Sequence, residues 1–259
     1  MIKKYVVGVL GALGMASLLS SCEEVATLTD TLNDTLKNVE ETKLYDIEEV
    51  EVFRPEYTVY TGEVERISFE GTTICDMDVN LGGGSLLILP SDEDTIVVEG
   101  TEVEAMQTFV EDGTFYLTAL LNKNITDRMK ITVKVPQDKV FSNVKLNVGA
   151  GYLEGGRIVT KTGEVHVGAG AMTCGMECFD LMDVSCDAGN LDLTLIGKKE
   201  EYKCDISVTA GNVNYEDENV SIVNRKVFNE DGEREILINC RAGNVNLKFA
   251  DDTLGDTMQ

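Results

Sequence analysis

The chain has a single histidine in 259 residues, and only 22 lysines and arginines against 46 aspartates and glutamates. The shortage of positive charge leaves a formal net charge of −24. That balance excludes binding to nucleic acid or to an anionic leaflet through bulk electrostatics. The shortage of histidine removes most nucleophilic and metal chemistry. His166 lies between Val165 and Val167, so an alternating strand points it outward. No Ser, Cys or carboxylate partner is identifiable for it in the sequence, and it reads as a solvated residue. There is no nucleophile elbow, phosphate loop or His-Glu metal helix. Neither an EF-hand loop nor a glycine-rich calcium nonapeptide is present. No cofactor and no catalytic residue are therefore expected.

Long hydrophobic runs are also missing, with one exception. Tyr5–Leu19 follows Lys3 and Lys4, and is too short and glycine-rich for a comfortable membrane span. It ends in Leu19-Ser20-Ser21-Cys22, which looks like a bacterial lipobox. Cleavage there would make Cys22 the new N-terminus and attach lipid to its thiol; an ordinary secretory signal with a chance cysteine is the alternative. Several acyl chains suffice for stable anchoring, so the expected partner at this end is a membrane, with the folded domain outside the cytoplasm. Removing residues 1–21 takes two lysines and no acid, moving the charge from −24 to −26. Residues 22–46 form a stalk with Val25, Leu28, Leu32, Leu36 and Val39 at helical spacing. Residues 47–136 read as an N-terminal β section, whose strand-like Met129–Val135 is stopped by Pro136. Residues 137–250 carry regular repeats and residues 251–259 a polar tail.

The repeats are the sequence's main regularity. Ala-Gly recurs with its glycine at Gly151, Gly170, Gly189, Gly211 and Gly243, at spacings of 19, 19, 22 and 32 residues. Five residues before each glycine stand Leu146, Val165, Val184, Ile206 and Ile238. Three before stand Val148, Val167, Cys186, Val208 and Cys240; two after stand Leu153, Met172, Leu191, Val213 and Val245. Gly84 heads a degenerate earlier copy, with Val79, Leu81, Leu86 and Ile88 in the apolar positions. The alternation predicts half-buried strands. Crossing the Ala-Gly shifts the phase by an odd number of residues, which predicts a bend or bulge where glycine takes φ > 0. Asn190, Asn212 and Asn244 follow three of the glycines, and their amides can bond the equivalent residue of the next copy. A corner of this kind stacked on copies of itself predicts an all-β fold, a β-solenoid of single-strand coils of about 19–22 residues.

The same register sorts the remaining polar and sulfur chemistry. Six cysteines follow Cys22. An exported even set invites disulfides, but Cys186 and Cys240 share a slot with Val148, Val167 and Val208, and Cys204 shares one with Met182 and Ile236. Those are slots for buried thiols, with one or two disulfides as the alternative. Cys174 and Cys178 lack a second pair or a nearby histidine to complete a zinc site. On the outer face, six before the glycine, Glu164, Asp183 and Asp205 form an acidic lane. Its functional reading is a divalent-cation site or a carboxylate pair for sugar chemistry; its plainer reading is a charged solvated face that discourages aggregation. Asp187 and Asp192 lie on other outer tracks of the middle copy.

The "ITVKVP" strand leading into "FSNVKLNVGAG", and the recurring "GAG" and "AGNV" segments, resemble the putative-adhesin family of bacterial β-strand-repeat proteins. The likeness runs from about Asn80 to Phe249. It implies an extracytoplasmic single-strand β-solenoid, often membrane-tethered, and it supplies no catalytic residues. The expected function is a non-catalytic, adhesin-like surface for an unknown protein or glycan at the cell envelope. The alternatives are an accessory or sensor lipoprotein of an envelope-stress system and, further off, a polysaccharide-active enzyme. For the last, the near absence of basic residues from the regular repeats counts against catalysis.

Overall fold

The computed structural model describes residues 53–120, 128–221 and 224–250. Cys22, the stalk, the signal segment and the polar tail lie outside these residues. Following the chain, β1 (Val59–Glu70) leads to β2 (Asp76–Leu81) and β3 (Ser85–Ser91), which meet at the Gly84 corner. A hairpin of β4 (Thr95–Glu111) and β5 (Thr114–Leu120) follows, then β6 (Lys130–Pro136). The hairpin turns at Asp112-Gly113, both with positive φ (48° and 76°), the combination a two-residue turn between twisted strands requires. Next come β7 (Val140–Val148), β8 (Tyr152–Val167), β9 (Ala171–Cys186) and β10 (Asn190–Ile196), joined at Ala-Gly corners. The chain ends with β11 (Tyr202–Val208), β12 (Asn212–Tyr215), β13 (Glu218–Ser221), β14 (Asn224–Phe228), β15 (Arg234–Cys240) and β16 (Asn244–Ala250). Among the described residues the only helical turns are the short Gly71–Thr73 and Lys199–Glu201.

These strands pair in two parallel rows. One row runs β5, β2, β7, the second half of β8, the second half of β9, β15 and β11. The other runs β6, β3, the first half of β8, the first half of β9, β10, β16 and β12. β8 and β9 are long enough to belong to both. β4 lies antiparallel to both β5 and β6, so the pairing β8-β3-β6-β4-β5-β2-β7 closes on β8 as a seven-strand ring. β1 pairs with β4 through several register shifts. At the opposite end, β13 and β14 lie antiparallel on β12 and β11. The all-β expectation thus holds. The architecture departs from a plain series of coils: a closed seven-strand ring carries the remaining strands as an extension. The ring closes because residues 95–120 fold back as a hairpin over the first corner. The proposed boundary at residue 136 is bridged by strand pairing, since β2 pairs with β7 and β3 with β8.

Side chains follow the predicted alternation. In β11, Tyr202, Cys204, Ile206 and Val208 are buried while Lys203, Asp205 and Ser207 face solvent. The inward columns cross every copy: Val148, Val167, Cys186, Cys240 and Val208 are register neighbours in turn, all buried. Each such fully buried aliphatic side chain contributes about 1.5–3 kcal/mol relative to exposure, and the row-to-row repetition gives one continuous core.

The corner glycines work differently from the expectation. Among the six, only Gly84 has positive φ (79°). The other five are required because the corners stack so closely. A Cβ on Gly170 would lie 2.3 Å from the Gly151 carbonyl oxygen, and one on Gly189 would lie 2.3 Å from that of Gly170. The side chain three before a corner glycine fills the space beneath the next corner: Val148 under Gly170, Val167 under Gly189, Cys186 under Gly243 and Cys240 under Gly211. Backbone bonds lock the corners together, as in Ala188 N to Gly168 O (2.8 Å) and Asn190 N to Gly170 O (3.0 Å). The neighbours also reveal an order that differs from the sequence. Corner Gly243 sits on Gly189, and Gly211 sits on Gly243. The last two copies are interchanged in space.

Candidate functional site

The outward positions of the first row form a polar trough of about 620 Å³ beside the Ala-Gly corners. Two columns of side chains line it. Four residues before the glycines stand Asn80, Asn147, His166, Ser185, Asn239 and Ser207, in spatial order. Six before stand Asp78, Lys145, Glu164 and Asp183, and Leu237 and Asp205 continue this column beyond the trough's lining. The corner itself contributes Asp187, Arg241 and Thr209. Strand alternation aims all of them outward, and parallel pairing sets them at about 4.8 Å intervals.

The predicted acidic lane is only partly assembled. Glu164 and Asp183 are direct neighbours, but Leu237 stands between Asp183 and Asp205 because β15 is inserted there. Lys145 pairs with Glu164 at 2.9 Å, and that hydrogen bond raises the lysine's pKa. Arg225 reaches from β14 to Asp205, with Nε at 2.9 Å, and holds its carboxyl below the usual range. Asp78 is pushed the other way by burial, partly offset by the Asn80 amide, which donates to it at 2.7 Å. Asp78, Glu164 and Asp205 thus have separate partners, and among the described residues no group of three or more His, Cys, Asp or Glu is placed to hold a metal ion.

The trough's most connected group escaped the sequence reading. His166 Nδ1 lies 2.7 Å from Ser185 Oγ, its Nε2 lies 3.7 Å from Asp187, and Arg241 Nη1 lies 3.1 Å from the same carboxylate. The signal was available: these residues occupy the positions four and two before successive glycines, once the last two copies are put in their spatial order. A Ser-His-Asp set invites a hydrolytic reading, but the geometry opposes it. Ser185 lies on a strand bonded along both edges, by β8 and β15. Its neighbouring backbone N–H groups are committed to the ladder, leaving no donors for an oxyanion. Asp187 is half exposed and shared with Arg241, unlike the buried carboxylate that orients a catalytic imidazole.

The second row presents an amide surface instead. Asn244 Nδ2 donates to Asn190 Oδ1 at 3.1 Å, Asn246 to Asp192 at 2.6 Å, and Asn214 to Asn246 at 2.6 Å. Asn190 and Asn244 thereby realise the expected bond between copies, while Asn212 bonds Asn214 and Asn219. The six cysteines among the described residues are free, five of them buried and Cys75 exposed. Burial pushes the thiols of Cys174 and Cys204 up to about 12, and those of Cys178 and Cys186 up to about 11. They are core groups, inert as nucleophiles.

No protein-family model and no curated relative matches the chain. Solved structures do. A putative cell adhesion protein from Clostridium sporogenes superposes with a TM-score of 0.50 at 16% identity, over 74% of this chain and 100% of that one. A putative adhesin from Bacteroides fragilis aligns at 12% identity over 76% and 100% of the two chains, with a TM-score of 0.26. One from Parabacteroides distasonis aligns at 10% identity over 74% and 98%, with a TM-score of 0.23. Of the three, the first superposes well enough to speak to the fold, and at its identity it speaks to the fold alone.

Proposed function

We propose that this protein is a lipid-anchored, extracytoplasmic, non-catalytic binding protein whose two strand rows form a β-solenoid, and that its trough holds an extended neutral glycan. The observation that carries the ligand class is the column of neutral hydrogen-bonding side chains repeated along the stack. Six rungs from Asn80 to Ser207 span about 24 Å at the ladder spacing, with one such group at an interval close to the length of a sugar residue in an extended chain. Amide and hydroxyl groups on a rigid sheet suit sugar hydroxyls, and Asp187 with Arg241 supplies a paired acceptor and donor at the corner. The chain's charge of −24 disfavours polyanionic glycans.

A panel of immobilised neutral and acidic polysaccharides tests this. The full-length chain should retain neutral polymers, and Asp187→Ala or Arg241→Ala should weaken retention at least tenfold, while Asp192→Ala on the other row leaves it unchanged. Absence of any retention, or retention indifferent to Asp187 and Arg241, rejects the trough as the site. Anchoring is tested separately: Cys22→Ala should move the protein from the membrane to the soluble fraction, and unchanged membrane retention refutes the lipid.

A further inference from the structure

The interchange of the last two copies leaves a consequence for self-association. β15 and β16 occupy a slot walled by strand edges on both sides. β15 lies between β9 and β11, and β16 lies between β10 and β12, all parallel. The wall strands β11 and β12, with their cover β13–β14, precede the occupant in the chain. β11 and β12 pair with the rest of the stack only through β15 and β16, so the edges of β9–β10 and of β11–β12 both stay unpaired until the last segment enters. Exposed edges of this kind are templates for any strand of matching pattern.

What the slot accepts is specified by more than the generic repeat. Glu235 meets Lys203 across one wall at 2.8 Å, and Arg241 meets Asp187 across the other at 3.1 Å. Asn246 is bonded on both sides, donating to Asp192 and accepting from Asn214, each at 2.6 Å. Glu235 and Arg241 distinguish Arg234–Ala250 from the preceding copy, which has Lys203 and Thr209 at those positions. The segment is joined to the wall by one short reversal, residues 229–233, which crosses the start of β11. Asn229 there has φ of 52°, the left-handed conformation that Asn tolerates better than most residues and that turns the chain sharply. A Cβ on Gly232 would lie 2.4 Å from Lys203 N, so the crossing is tight. A tight hinge joining an element to its own acceptor is the arrangement in which extending the hinge lets the element enter another copy.

We propose that Arg234–Ala250 is an exchangeable coil, and that the slot between β9–β10 and β11–β12 accepts the same segment from a second copy of this chain. Exchange keeps every rung and side-chain pair described above, with the hinge extended between the two copies. It is independent of the ligand assigned to the trough.

Two outward register partners report on exchange: Asp183 on the wall and Leu237 on the occupant. One copy carries Asp183→Cys, the other Leu237→Cys, both in a full-length background with Cys22→Ser and Cys75→Ser. The two are unfolded together, refolded over a range of protein concentrations and oxidised with diamide. A covalent heterodimer that increases with refolding concentration and retains native far-UV circular dichroism is the expected result. If no heterodimer forms while a single chain carrying both cysteines closes its internal disulfide, the proposal is overturned. Unmodified protein provides a second measurement by size-exclusion chromatography with light scattering. Refolding at rising concentration should yield a dimer; monomer at every concentration overturns the proposal without any substitution.

Discussion

Gly189→Ala should be among the most damaging single-methyl additions in this protein, although Gly189 does not have a left-handed backbone. The added Cβ would lie 2.3 Å from Gly170 O and 2.6 Å from Val167 Cγ1. Real Cβ contacts do not fall below 3.0 Å, so the two corners must part by at least about 0.7 Å. Asn190 N to Gly170 O is already 3.0 Å and Ala188 N to Gly168 O is 2.8 Å; parting the corners carries the first beyond hydrogen-bonding distance and weakens the second. Losing one ladder bond and weakening another costs about 1–2 kcal/mol, and overpacking a filled corner adds about 1–3 kcal/mol. The expected loss is about 2–5 kcal/mol, which lowers a urea midpoint by about 0.7–2.5 M at a slope of about 2–3 kcal/mol/M. Gly62→Ala is the informative control. Gly62 has φ of 78° and open space where its Cβ would be, so its cost is conformational, about 1–2 kcal/mol. Adding Val167→Ala to Gly189→Ala should not restore stability, because the nearer obstacle is a backbone carbonyl. If Gly189→Ala costs no more than Gly62→Ala, or if Val167→Ala rescues it, the stacking argument is wrong.

Thiol accessibility gives a second prediction. In a Cys22→Ala chain at pH 8, iodoacetamide should label Cys75 alone until denaturant is added; native labelling of Cys174 or Cys204, seen by peptide mass spectrometry, would contradict their burial. Acid stability gives a third. Asp205 is held below its unfolded pKa of about 3.9 by Arg225, so its contribution is present above that value and is lost as pH falls through the folded pKa. Arg225→Ala should return the Asp205 titration to the ordinary range by NMR and flatten this part of the acid-unfolding profile; an unshifted titration would remove Arg225 as the cause. A fourth concerns the amide ladder. Asn246→Leu leaves Asn214 and Asp192 without their shared partner and should destabilise by about 1–2 kcal/mol, whereas the exposed Asn147→Leu, which gives up one bond to Asn80, should cost less. Equal losses in urea melts would mean that the ladder adds nothing to the corners.

Much of this protein was legible as local pattern. The positions five and three before each glycine and two after it mark the core, and every cysteine assigned to those columns is buried and free. Side-chain direction is fixed by strand alternation, a property of neighbouring residues, which is why His166 could be placed outward without a structure. The Asn190–Asn244 bond belongs to the same class, because equal position in a repeat brings equal residues together.

Tertiary structure decided which copy neighbours which. Every copy offers the same edge and apolar pattern, so the repeat by itself makes 202–215 and 234–250 interchangeable. Their order is marked by a pair that only this arrangement makes, Arg241 with Asp187, where the other copy has Thr209, and by where the hinge and the β13–β14 cover can lie. That choice put Leu237 inside the acidic lane, moved Asp205 to Arg225, and brought Arg241 to Asp187 beside His166. It also assigned the glycines their purpose. The sequence marked the corners, while only the approach of one corner to the next shows that they are glycine because a neighbouring carbonyl leaves no room for a Cβ.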